Sequence, residues 1–277
     1  MRFGLELPCG GEHLSATDIV AMAVAAERAG WDGVFLEDYL VYYRGEDPPT
    51  YDPWVLLTAV AARTERLWLG TTVSGLLARD PVKLAREAAT LDALAPGRVV
   101  LGVGLGDPQD RGVHVGDDLG VSGPKGRAMD RRLDLLLDLL AGTPVPARDG
   151  EPPVTFRPAS GRVRVWVGGS TQARAVHRRA AKAHGVVPYK LTDVEQWSDF
   201  TREDVERLAA AVAAHRDSGT SGYDIAVGGR ARLADLDQER AAVSEARNGG
   251  ATWWLEFVHP ASPAEMIDHI ATGPLEE

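Results

Sequence analysis

Leu67-Trp68-Leu69-Gly70-Thr71-Thr72-Val73, then Asp80-Pro81 opening a stretch rich in Ala and Leu that stops at Gly97, then Val99-Val100-Leu101-Gly102-Val103, is the part of the chain on which the fold turns. The two apolar, β-branched runs have the length and composition of strands. The segment between them carries its own start and stop. Asp80 offers a capping oxygen just before a proline whose fixed φ suits the first helical position, and Gly97 permits a left-handed exit. A strand, a covering helix and a second strand describe a parallel crossover unit.

The same alternation runs outward to both ends. Further strands are expected at Phe3–Leu7, Val34–Glu37, Val163–Val167, Gly185–Val187, Asp224–Val227 and Thr252–Phe257, which makes eight. Asp52-Pro53 and Ser262-Pro263 repeat the helix start, Ser262 to Glu265 spells a capping box, and Gly30, Gly142 and Gly249 repeat the stop. Near Arg127–Leu140 a helix carries Leu133, Leu136, Leu137 and Leu140 on one stripe, the spacing of a face packed on a sheet. Eight β-then-α units in 277 residues predict an α/β fold, one (β/α)8 TIM barrel forming a single domain over residues 1–277. Two segments exceed a minimal connection: Asp107–Lys125 after the fourth strand and Thr143–Arg162 before the fifth. The second holds Val154-Thr155-Phe156 and is expected to form an irregular loop or a small hairpin outside the barrel.

Composition narrows the function. Thirty Lys and Arg against 40 Asp and Glu give a formal charge of −10, which disfavours a general nucleic-acid or anionic-membrane surface and leaves room for a local basic groove. A small-molecule ligand is the default. Cys9 is the lone cysteine, so no internal disulfide forms, and no Cys/His cluster has zinc-ligand spacing; no metal site is expected. Met1 to Gly10 leads straight into a strand and no apolar run approaches the roughly 20 residues of a membrane span, so a reducing cytoplasm is the expected location.

In such a barrel the working groups lie at the carboxyl ends of the strands. Here those ends read Pro8-Cys9, Glu37-Asp38-Tyr39, Thr71-Thr72-Val73, Gly104-Leu105-Gly106-Asp107, Gly168-Gly169-Ser170-Thr171, Pro188-Tyr189-Lys190, Gly228-Gly229-Arg230 and Glu256 onward. Gly168-Gly169-Ser170 enters the helix Gln172–Ala183, where free N–H groups and the helix dipole make an anion pocket; the alternative is a Gly-rich turn in which Ser or Thr caps the helix. Gly102, Gly104 and Gly106 follow a strand, but Asp107-Pro108 comes where a dinucleotide fingerprint needs a helix start, so a wall against a planar ring is the better reading. Glu37, Asp38, Asp107 and Glu256 could bring carboxylates to one barrel mouth for acid/base work, against the alternative of solvated or paired groups. Tyr39, Tyr42 and Tyr43 would stack on a ligand, donate a proton, or pack a loop over the rim. Trp253 and Trp254 alternate faces, one filling the barrel and one under a helix.

Read together, Ala29-Gly30-Trp31-Asp32-Gly33-Val34-Phe35-Leu36-Glu37-Asp38-Tyr39, Tyr51-Asp52-Pro53-Trp54, Thr64 to Val73, Arg79-Asp80-Pro81, Leu91-Asp92-x-Leu94, Gly97 to Gly106 and Val165-Trp166-Val167-Gly168-Gly169 resemble the bacterial luciferase-like superfamily of flavin- or deazaflavin-dependent oxidoreductases. The resemblance implies an isoalloxazine-type ring at the barrel mouth. It implies a cis peptide at Thr72–Val73 beneath that ring, Gly104 and Gly106 along its edge, and a phosphate held by Gly168, Gly169 and Ser170. Deazaflavin dehydrogenases of the family commonly place His directly after the second-strand Asp, whereas this chain has Tyr39. The catalytic candidates are Tyr39, Asp38 and Asp107, with Tyr39 expected to position a reduced or oxygenated ring rather than act as a base.

The leading expectation is a monooxygenase using reduced FMN and oxygen on a small organic substrate, with a separate flavin reductase as candidate partner and a homo-oligomeric state. The alternatives are hydride transfer with the deazaflavin coenzyme F-420 (F420), a non-catalytic flavin-binding protein, and a carboxylate-paired hydrolase on the same barrel.

Overall fold

The computed structural model describes residues 1–114, 124–147, 149–191, 197–217, 219 and 221–275. Eight strands, β1 (Arg2–Leu7), β2 (Gly33–Asp38), β3 (Trp68–Gly75), β4 (Val99–Gly104), β5 (Arg164–Ser170), β6 (Gly185–Tyr189), β7 (Asp224–Arg230) and β8 (Trp253–Phe257), alternate with eight helices. The helices are α1 (Ala16–Arg28), α2 (Pro53–Ala61), α3 (Pro81–Leu94), α4 (Lys125–Ala141), α5 (Arg174–Lys182), α6 (Arg202–Ala213), α7 (Leu236–Asn248) and α8 (Pro263–Ala271). Each strand pairs in parallel with the next, and β1 pairs with β8 to close the barrel.

All eight strands lie where the sequence places them, most of them a residue or two longer. The expected caps are present: Asp52 accepts from the Trp54 and Val55 amides, Asp80 from Lys83, and Ser262 with Glu265 closes a capping box. Gly142 ends α4 at φ +73°. Gly249 differs from expectation: it stays right-handed, and Gly250 takes the positive φ of +98° because α7 runs one residue further before turning. The connection before β5 does make a small hairpin, with Val145 and Val154 exchanging two 2.9 Å backbone hydrogen bonds. The rest of the long connection after β4 falls at residues 115–123, outside the described residues.

Both faces of every strand are buried, one towards the helices and one towards the barrel axis. Along the axis Phe35, Val100, Trp166, Ala226, Trp253 and Leu255 form a separate apolar plug. Its rings meet at 5.2 Å (Phe35–Trp166), 5.5 Å (Phe35–Trp253) and 5.6 Å (Trp166–Trp253). Aromatic groups this large fit only where neighbouring strands give up side chains. A Cβ at Gly4 would lie 2.6 Å from Phe35, and one at Gly185 2.5 Å from Trp166. Trp254 faces the other way, into the layer beneath the helices, so the two tryptophans divide as expected.

Candidate active site

Strand alternation carries the phase of the plug to the barrel mouth. Two residues beyond Gly4 on β1 comes Glu6, two beyond Phe35 on β2 comes Glu37, and two beyond Gly70 on β3 comes Thr72. A polar layer therefore rests directly on an apolar, aromatic floor. Above it opens a cavity of about 630 Å³ whose wall includes Glu6, Thr72, Val73, Gly104, Gly106 and Gly168 to Ser170.

Glu6 is enclosed by protein yet open to the cavity. Burial pushes its carboxyl from 4.5 up to about 7, with the Thr72 hydroxyl acting in the opposite sense. Glu37 rises to about 8, first through burial and then through the charge of Glu6. At neutral pH the two therefore hold at least one proton between them. Sequence reading missed Glu6. The available signal was a single carboxylate inside the apolar run Phe3-Gly4-Leu5-Glu6-Leu7.

The raised values make a signed prediction for stability. Between about pH 5 and pH 8 the folded chain binds more protons at Glu6 and Glu37 than the unfolded chain does, so their contribution falls as pH rises through that window. His184, lowered from 6.5 by burial, works in the opposite direction below its ordinary value. The difference between proteins isolates the pair: a Glu6→Gln/Glu37→Gln double variant should gain a few kcal/mol on the parent between about pH 5 and pH 9, measured by urea unfolding. A constant difference across that range would contradict the raised values.

The peptide Thr72–Val73 is cis, as the resemblance implies, and the pairing of β3 with β4 shifts register between Thr71 and Ser74. Val73 lines the mouth of the cavity. A Cβ at Gly104 would lie 2.9 Å from one Val73 methyl, and a Cβ at Gly168 2.8 Å from the other. Those glycines make room for the valine as much as for a ligand. At the end of β5 no side chain caps α5, whose N-cap residue is Ala173. Ser170 Oγ instead accepts from the Gln172 amide. Gly168, Gly169 and Ser170 line the cavity, and no side chain caps the first turn of α5 beside them.

The catalytic candidates separate. Tyr39 and Asp107 come together, the Tyr39 hydroxyl donating to Asp107 Oδ2 at 2.6 Å. Burial and that donation push the phenol above its ordinary value, so Tyr39 stays protonated and its proton is already committed. Tyr39 also packs on Tyr42 and Tyr43, with centroids 5.7 and 5.0 Å away. Asp38 has the opposite strand phase from Glu37. Its side chain is fully enclosed, paired with Arg79 and hydrogen-bonded by Ser74, and it does not line the cavity. It ties β2 to the loop before α3, which leaves it no route to a ligand. Glu256 likewise faces the helices, held by Arg232 and His269. Cys9 is buried with its thiol pushed up to about 12, an inert group.

Asp110, which the sequence reading passed over, joins the β2 and β4 loops by accepting from the Leu40 and Val41 amides at 2.8 and 3.0 Å. With this tether in place, Tyr39→Phe should cost about 1 to 2 kcal/mol of stability through loss of a bond to a charged acceptor, with cofactor affinity unchanged. Urea unfolding and a binding titration on one preparation check both halves.

The profile of the family described as luciferase-like monooxygenase matches residues 1–272. A curated relative, the F420-dependent glucose-6-phosphate dehydrogenase of Beutenbergia cavernae, is 42% identical over 130 residues, 46% of this chain and 36% of that protein. The match thus spans about a third of the relative's length. Among solved structures, the coenzyme F420-dependent tetrahydromethanopterin reductase of Methanopyrus kandleri superposes with a TM-score of 0.70 at 16% identity, covering 98% of this chain and 97% of that one. A monooxygenase from Streptomyces bottropensis gives 0.70 at 21% identity, covering 99% of both chains. At such identities these two likenesses speak for the fold alone.

Proposed function

The chain belongs to the luciferase-like monooxygenase family, and from that premise we propose that it is a hydride-transfer oxidoreductase using F420 on a small organic substrate. The observation that carries the reading is Glu6, a carboxyl with a pKa of about 7 on the floor of the cavity that Val73 also lines. Moving a hydride between a ring and an alcohol or carbonyl leaves one proton to be taken up or released at oxygen, and a group poised near neutrality does this best. What favours the deazaflavin over reduced FMN is that the curated relative sharing 42% identity over 130 residues is an F420-dependent dehydrogenase.

The cavity suits such a group. Its volume accepts a tricyclic ring with a side chain, Val73 offers a convex apolar support, and the backbone of Gly168 to Ser170 with the start of α5 would hold the phosphate. When bound, the deazaflavin supplies hydride exchange without oxygen activation. The residues of the chain do the rest. In the oxidative direction the ionised Glu6 carboxylate takes the substrate hydroxyl proton, and in the reductive direction the protonated form returns it. Thr72 lies beside Glu6 and acts against the larger effect of burial on its carboxyl. Val227 and Leu255 line the same cavity and keep water from the reacting atoms. Tyr39 anchors Asp107 at the rim and takes no part in proton transfer.

Side-by-side fluorescence titration of the purified chain with F420 and with FMN tests the cofactor. Saturable binding is expected for F420, tighter than for FMN; preference for FMN, or no binding of F420, would overturn the reading.

A further inference from the structure

A second groove of about 320 Å³ opens next to the phosphate cradle, between α5 and α6. Thr171 and Gln172, the residues that directly follow Ser170, form one lip, and His177 of α5 stands behind them with its Nε2 2.8 Å from the Thr171 carbonyl. Lys190, one residue past the end of β6, lies at its base, and α6 presents Asp204, Arg207, Leu208 and Ala211, a stripe at helical spacing.

The polar groups in this groove do not cancel. Asp204 is saturated: it accepts from Lys190, from Arg207, and from the Thr201 amide and hydroxyl. Burial opposes its ionisation, but these donors outweigh burial and hold its carboxyl down at about 2. The donors are in surplus. Lys190 has three N–H groups and uses them on Asp204 and the Asp199 carbonyl, while Arg207 has five and bonds to Asp204. Two cations face one carboxylate, beside a histidine, in a chain whose formal charge is −10. The neighbouring Glu206 lies off the stripe and is paired with Arg202.

We propose that this groove is a second anion subsite, which receives the carboxylate-bearing extension of a cofactor whose phosphate sits in the Gly168–Ser170 cradle. The proposal rests on the assignment of F420, whose tail continues past a phosphodiester into glutamates; FMN ends at its phosphate and would leave the groove empty. The lip formed by Thr171 and Gln172 gives a chain leaving the cradle a short way into it. Because Arg207 is 72% exposed, its bonds to a flexible tail lie in water and depend on salt.

The test titrates the full chain with three ligands: F420 carrying several glutamates, the same deazaflavin phosphodiester without glutamates, and FMN. The glutamylated form should bind about tenfold tighter than the glutamate-free form at low salt, the advantage shrinking as salt is raised. Arg207→Gln should remove most of that advantage without changing affinity for the glutamate-free form, and Ala211→Glu, which adds a negative charge on the α6 wall of the groove away from the cradle, should do the same. Equal affinity for the two deazaflavins in the parent protein, or an equal loss for both in the variants, would overturn the subsite while leaving the F420 assignment standing. Binding of FMN alone would overturn both.

Discussion

Replacing Glu6 by Gln should lower turnover by about a hundredfold to ten-thousandfold while F420 still binds. Gln keeps the shape and polarity of the side chain and loses only the capacity to exchange a proton. The floor beneath it, the Phe35–Trp166–Trp253 plug, is unchanged by this substitution. The pH profile separates a proton-transfer role from a packing role. In the oxidative direction the parent rate should rise with pH through about 7 as Glu6 ionises, and that limb should vanish in the variant. A variant that retains parental turnover and the same limb would remove Glu6 from the mechanism.

The second large effect is expected at the phosphate cradle. Gly169 has φ +149°, and a Cβ there would lie 2.6 Å from a Val176 methyl at the start of α5. Gly169→Val therefore shifts the turn and places a branched side chain where an anion would approach the N–H groups. Phosphorylated ligands should lose about tenfold to a hundredfold in affinity, and the dephosphorylated deazaflavin much less. Gly168→Ala is the informative contrast. Its added methyl meets Val73 beneath the ring rather than the phosphate, so both ligand forms should weaken together. Equal losses for the two forms in Gly169→Val would contradict a phosphate role.

The barrel was legible because its punctuation is local. Asp52-Pro53, Asp80-Pro81 and Ser262-Pro263 fix helix starts through chemistry contained in a few residues, and the β-branched runs between them have little else to become. The Gly-rich exit of β5 into α5 was legible for the same reason. What sequence could not give was strand phase. In a parallel barrel both faces of a strand are apolar, so Glu37 and Asp38 are equally plausible as inward residues until the barrel is closed. Closure puts Glu37 beside Glu6 over the plug and Asp38 against Arg79 among the helices. Glu6 is concealed in a related way: the mouth is expected at Pro8-Cys9, just past β1, whereas the inward carboxylate lies inside the strand. The partnership of Tyr39 with Asp107 spans 68 positions and depends on two loops meeting above the barrel. Gly104 and Gly168 were recognised as sites of close approach, but the valine that approaches them comes from a third strand.

The fate of one hydride separates hydride transfer from monooxygenase chemistry most directly. Reduced F420 carrying deuterium at its transferable position, mixed with the protein and a panel of small ketones and aldehydes in the absence of oxygen, should be reoxidised only when an accepted substrate is present. One deuterium should appear on the carbinol carbon of the product. Admitting air should neither speed reoxidation nor consume oxygen. Reoxidation that depends on oxygen, or deuterium released to solvent with an oxygenated product, would contradict hydride transfer and return the chain to monooxygenase chemistry.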